Sequence, residues 1–325
     1  MPERSYAIIG SGAVGGLYGA RLQRVGLAVH FLCHSDYEHV RRHGLVIESP
    51  EGDIRLPQVN AYGRAADMPV CDVVIVALKT TANAILPAAL PCVTKPGGTV
   101  VILQNGLGAE ARVASFVPQC SVVGAMSFLC ASKVGPGHVR HLDYGKITLA
   151  AYRPDGQPGG ITAEMTAIAA DLEQSGTSVN LFEDLVQARW QKLVWNVPFN
   201  GLSVVLEADT AEMMRNEQTR RLARDLMNEV VAGAAVCGRH IPPEFVEQMV
   251  VDTERMTPHK TSMVLDYENR RPMEVESIYG EPLRVAEGRG ACLPLTRMLY
   301  AQLKFLDERN TRVCAPDHIQ RKHSV

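Results

Sequence analysis

An apolar run, Tyr6-Ala7-Ile8-Ile9, passes directly into Gly10-Ser11-Gly12-Ala13-Val14-Gly15. A strand that enters a G-x-G-x-x-G turn and then an amphipathic helix is the usual way a chain holds a dinucleotide pyrophosphate. Gly10 permits the tight turn, Gly12 lets the backbone approach the phosphates, and Gly15 lets helix and strand pack closely. The helix expected over Val14 to Val25 turns its free N–H groups and positive dipole end toward the anion. Ser11, Ala13 and Val14 complete the turn, so the whole segment is read as cofactor-binding. The competing reading is a glycine-rich turn in an unrelated α/β protein.

The pattern that follows alternates strands with helices. Leu27 to Leu32, Cys71 to Leu78 and Gly98 to Leu103 read as strands, the last two as continuous apolar runs covered on both faces. Leu45 to Glu48 and Asp53 to Leu56 flank a turn-rich Ser49-Pro50-Glu51-Gly52 and predict a hairpin. Further strands are expected at Ser121 to Cys130, His138 to Leu142, Lys146 to Ala150 and Thr177 to Leu181, with a helix over Ile161 to Ser175. From Glu183 helical periodicity takes over, with helices expected over Ala188 to Val197, Thr210 to Cys237 and Pro242 to Met256. The fold class is therefore α/β. A Rossmann-type doubly wound, mostly parallel sheet is expected over residues 1–182, and an all-helical domain over 183–325.

Size and composition agree with two domains, since 325 residues are many for one core. A formal net charge of −2 gives no basic excess for nucleic acid. No window approaches the roughly eighteen uninterrupted apolar residues of a membrane span. The chain opens on charged residues and no secretory leader is expected. Its 8 cysteines, Cys33 to Cys314, form no C-x-x-C pair, which fits a reduced, cytoplasmic protein without a metal site.

Ligands of open α/β sheets lie beyond the carboxyl ends of the strands. Lys79 and Asn105 stand at two such ends, although a lysine there can be a solvated cap and Asn105-Gly106 a simple turn pair. Lys192, Asn196 and Asn200 recur every four residues and share one helix face, amid Trp190, Leu193 and Trp195. Partial desolvation there would lower the lysine pKa toward acid–base range; the other reading is a snorkelling lysine beside capping asparagines. Pro198 is expected to kink the helix before Asn200. Ser262, Asp266 and Glu274, read alone, suggest a salt-bridged surface.

Taken in order, these pieces resemble the ketopantoate reductase family: the glycine loop, Lys79, Gln104-Asn105-Gly106, Lys192/Asn196/Asn200, Ser262-Met263, Asp266 and Glu274. The resemblance spans essentially the whole chain. It implies an N-terminal nucleotide-binding domain, a C-terminal helical domain and an active site in the cleft between them. It further implies NADP(H) as cofactor and reduction of a small 2-oxo acid, ketopantoate, to its 2-hydroxy acid in pantothenate biosynthesis. In that scheme Lys192 is the general acid and Glu274 its catalytic partner, orienting the substrate or pairing with Lys192. Asn196, Asn200, Ser262 and Asn105 hold the substrate, and Lys79, Asn105 and His34 meet the cofactor. A homodimer is compatible with the resemblance. At the end of the second strand the chain reads Leu32-Cys33-His34-Ser35-Asp36, without the acid about twenty residues past the loop that takes ribose hydroxyls in NAD enzymes. That favours NADPH, although the family usually carries arginine at His34. The alternatives are a related hydroxy-acid dehydrogenase, which also uses a K-x-x-x-N helix, and a non-catalytic NADPH-binding redox sensor.

Overall fold

A computed structural model describes residues 4–258 and 260–312; Cys314 lies outside them. By contacts the chain divides into Met1–Lys192 and Leu193–Val325, a boundary that falls inside the helix Leu185–Val205.

The first unit is built on ten strands: β1 (Ser5–Ile9), β2 (Ala28–Leu32), β3 (Leu45–Glu48), β4 (Ile54–Leu56), β5 (Asn60–Tyr62), β6 (Cys71–Val76), β7 (Thr94–Ile102), β8 (Ser121–Gly135), β9 (His138–Ala151) and β10 (Val179–Phe182). They form one sheet in the order β4-β3-β9-β8-β7-β6-β1-β2-β5, with β10 also beside β9. From β5 through β2, β1, β6 and β7 to β8 every neighbour is parallel, as the alternation with helices predicts.

Successive residues of these strands point to opposite faces, and each face has its own core. Tyr6, Ile8, Phe31, Val73, Ile75 and Val101 pack with Met165, Ile168 and Leu172 of the helix Ala163–Gln174. Ala7, Ile9, Val74, Val76, Val100 and Ile102 pack with Leu86, Leu90 and Val93 of the helix Leu86–Val93 and with Val113. This two-sided burial explains why the sequence shows continuous apolar runs here rather than alternation.

Two local expectations change. The segments expected separately at 138–142 and 146–150 are one strand, β9, paired antiparallel with β8. The register slips between Phe128 and Leu129, opposite Lys146 and Tyr144. Tyr144 and Gly145 there have φ 62° and 128°, so a bulge interrupts the apolar pattern without ending the strand.

The second unit is helical, with helices Thr210–Arg215, Glu217–Val236, Pro243–Arg255, Ser262–Glu268, Glu281–Glu287 and Pro294–Arg312. The single helix expected over Thr210 to Cys237 is two. Asn216 breaks it by leaving the helical region and accepting hydrogen bonds from the Gln218 and Thr219 backbones. Pro242 caps and Pro243 opens the next helix, as expected. No described helix is long and apolar enough to cross a membrane.

Candidate functional site

Of the three glycines of the motif, only Gly12 leaves room for a side chain. Gly10 has φ 102°, and a Cβ there would lie 2.5 Å from the Leu78 backbone nitrogen. A Cβ on Gly15 would collide with the Gly10 carbonyl oxygen and lie 2.9 Å from Ile8 Cγ2. At Gly12, the N-cap of the helix Ala13–Arg24, a Cβ would meet nothing within 4 Å. No side chain caps that helix and no acidic residue occupies its first turn. Its leading N–H groups thus face an open, uncapped space suited to an anion.

Beyond β2, His34 and Ser35 are exposed. Asp36, the first acid after the strand, is buried; its carboxylate receives Lys133 Nζ at 2.5 Å and the Gly137 N–H at 3.2 Å. A carboxylate so engaged is not presented to a ribose.

Lys79 and Asn105 occupy the carboxyl ends of β6 and β7, both half-buried. These ends are tied together. Gln104 donates from Nε2 to the Leu78 carbonyl and to Asn83 Oδ1, each at 2.7 Å. Gly106, with φ 90°, turns the chain immediately after Asn105.

The helix Leu185–Val205 brings the ammonium. Lys192 is buried, and its Nζ lies 3.5 Å from the centroid of the Phe128 ring on β8. Sequence reasoning placed Lys192 among tryptophans; the ring against its amine is this phenylalanine, which no spacing rule connects to the helix. Burial, and secondarily the charge of Arg189 one turn earlier, pull its pKa from 10.5 down to about 7. The cation–π contact favours the charged form, but it does not replace the lost water.

Arg189 and Glu110, which no sequence motif marks, form a buried pair. Arg189 donates to Glu110 Oε1 from Nε at 2.7 Å and again from Nη2. It also donates to the Gln104 carbonyl at 2.5 Å and the Ile102 carbonyl at 3.0 Å. A charged residue one turn before Lys192 in an apolar helix was the available signal; its partner, in the helix Ala109–Phe116, carried none.

Asn196 and Asn200 follow on the face of Lys192, at 3% exposure each. The helix continues through Pro198, so the expected kink does not end it, although the ring removes the bond to the Val194 carbonyl. Within the second unit, Tyr279 donates to the Val197 carbonyl at 2.9 Å. A side chain on Gly201 would lie 2.6 Å from that hydroxyl, which makes glycine necessary here.

Of the third cluster, Ser262 is exposed as the first residue of its helix, whereas Asp266 and Glu274 are buried. Asp266 is bound by Arg271 at 3.0 Å, a bracing contact. Glu274 directly precedes Val275 and a π-helical turn at Glu276–Gly280, and accepts from Ile278 N through its carbonyl. Such turns recur at functional sites. Two of the three residues expected on a surface are therefore interior. Among the described residues no three His, Cys, Asp or Glu side chains gather as metal ligands.

The sequence pattern of "Ketopantoate reductase PanE/ApbA" matches residues 6–154, and that of its C-terminal part matches residues 184–307. The 2-dehydropantoate 2-reductase of Nostoc sp. is 53% identical over 310 residues, covering 95% of this chain and 97% of that protein. The crystal structure of 2-dehydropantoate 2-reductase from Geobacter metallireducens superposes with TM-score 0.88 at 36% identity, covering 93% of this chain and 99% of that one. D-mandelate dehydrogenase, solved with NADH and anilino(oxo)acetate, shares the fold alone, with TM-score 0.82 at 21% identity over 94% of this chain and 99% of its own.

Proposed function

This chain belongs to the ketopantoate reductase family, and from that premise we propose that it reduces 2-dehydropantoate to pantoate with NADPH. The observation that carries the reading is a buried lysine of lowered pKa sharing a helix face with two buried amides. NADPH fits the first unit: the uncapped N-terminus behind Gly12 accepts the pyrophosphate, and exposed His34 and Ser35 meet the 2′-phosphate, the neighbouring Asp36 carboxylate being held by Lys133. Lys79 and Asn105 hold the nicotinamide end. The nicotinamide supplies the hydride when bound.

The residues do the rest. Protonated Lys192 stabilises the negative charge that develops on the C2 oxygen and then delivers its proton there from Nζ, leaving a neutral amine. A pKa near 7 keeps both the charged and the neutral amine populated at neutral pH, so that it can give up the proton and regain it, which an exposed lysine cannot match. Asn196, Asn200 and Ser262 donate hydrogen bonds to the carboxylate and hydroxyl of the acid, with Asn105 at its other end. Glu274 orients it. In function the division lies at residue 183, so that the whole helix Leu185–Val205 counts with the substrate-binding half.

A steady-state assay tests the reading: NADPH against NADH, with ketopantoate against a panel of other 2-oxo and 3-oxo acids. Ketopantoate with NADPH should give the highest kcat/KM. Robust turnover of another acid with none of ketopantoate would overturn it, as would cofactor binding with no turnover of any acid.

A further inference from the structure

The Arg189–Glu110 pair is charged and buried, so its presence calls for a reason. Buried ion pairs are poor sources of stability, because removing two charges from water costs about what their attraction returns. This one is built in with care. Gly124 on β8 leaves space for Leu185 and for the pair alike: a Cβ there would collide first with Leu185 Cδ1, then lie 2.7 Å from Glu110 Oε1 and 3.4 Å from Arg189 Nη2.

The guanidinium's hydrogen bonds show what it joins. It stands one helical turn before Lys192. Its Nη groups reach the carbonyls of Ile102 and Gln104, the last residues before Asn105, and Gln104 in turn holds the Leu78 carbonyl beside Lys79. One planar fork therefore links the turn that carries the amine, the Asn105 loop and the strand end at Lys79. Glu110 receives the remaining donors and fixes the plane. Lysine has neither the plane nor the donor number for these contacts.

We propose that Arg189, braced by Glu110, is a positioning residue that holds the Lys192 turn and the Asn105 loop in fixed relation and sets a permanent positive charge beside the reacting amine. The inference rests on the reading of Lys192 as proton donor. Arg189 on its own helix, with Glu110 behind that guanidinium, and the uncharged Phe128 ring stand among the groups of the first unit close to Lys192. Glu274, assigned to the same site, is unaltered in every variant below.

The test is the pH dependence of ketopantoate reduction in Arg189→Met and Glu110→Gln, beside wild type and Lys192→Ala. Wild-type turnover lost in Lys192→Ala secures the underlying reading independently of the pair. Removing the guanidinium should move the alkaline limb of kcat/KM to higher pH; neutralising Glu110 should move it to lower pH. A loosened scaffold alone would not shift the two in opposite directions. In Arg189→Met, kcat should fall by about tenfold to a hundredfold, the cost of a misplaced group. The NADPH dissociation constant, read by nucleotide fluorescence, should change by less than about threefold, below the tenfold that corresponds to 1.4 kcal/mol. Arg189→Lys should not restore kcat. If Arg189→Met does not fold, the double variant Arg189→Met/Glu110→Gln leaves no unpaired buried charge and should fold with the same loss of kcat. Limbs of the two single variants that stay in place or move together, or a kcat equal to wild type in Arg189→Met or the double variant, would overturn the proposal.

Discussion

In the proposed function the glycine turn after β1 and the amine-bearing helix Leu185–Val205 serve the same reaction by opposite physical means. The turn works through backbone and vacancy: Gly12 has nothing within 4 Å of where a Cβ would stand, and the helix behind it is uncapped. The helix works through crowding, with Lys192 buried against Phe128 and downstream of a buried ion pair. An anion is recognised by N–H groups kept clear of side chains, whereas a proton is made transferable by taking water away from its carrier.

The sharpest way to break this contrast is Lys192→Met. Turnover should fall by about 10²- to 10⁴-fold, the usual contribution of a positioned acid, while the NADPH dissociation constant measured by fluorescence titration stays near wild type. Equal losses in both would mean that the two regions are not separable.

Next come two glycines of one motif with different neighbours. Gly15→Ala drives a methyl into the Gly10 carbonyl and Ile8. It should destabilise the unliganded protein by about 1–3 kcal/mol, seen as a lower Tm, and weaken cofactor binding with it. Gly12→Ala adds its methyl to open space at φ −74°. Its Tm without cofactor should match wild type, yet NADPH should bind about tenfold more weakly, roughly 1.4 kcal/mol. A Tm drop in Gly12→Ala equal to that in Gly15→Ala would show that the open space is not reserved for a ligand.

The smallest effect is expected at His34. His34→Arg places a permanent guanidinium at the exposed end of β2 and should favour NADPH over NADH by a further fivefold or so, roughly 1 kcal/mol. Comparing the two dissociation constants before and after the change measures it; an unchanged ratio would remove His34 from the phosphate site.

How much of this could be read in the sequence follows the same division. The turn was fully legible, because glycine spacing records backbone geometry directly. So were the two-sided strands at Cys71 and Thr99, whose unbroken apolar runs follow from burial on both faces. Lys192, Asn196 and Asn200 were legible as a four-residue repeat on one helix. Arg189 and Glu110 were not, since their pairing joins residues 79 positions apart and neither lies in a motif. Phe128 was hidden for the same reason. Asn216 and the bulge at Tyr144-Gly145 were missed because a cap and a slipped register interrupt periodicity by a single residue. Asp36 shows a further limit. A sequence gives the position of a carboxylate but not that Lys133 has already engaged it.

The central claim is that the buried amine of Lys192 carries the proton, and the pH dependence of ketopantoate reduction at saturating NADPH tests it most directly. Burial lowers the lysine pKa to about 7, and the reduction needs the protonated form. The account therefore predicts kcat/KM level at acidic pH and falling tenfold per unit above about 7, with pantoate oxidation falling on the acidic side of the same value. A kcat/KM for reduction that stays constant from pH 6 to pH 9 would contradict it.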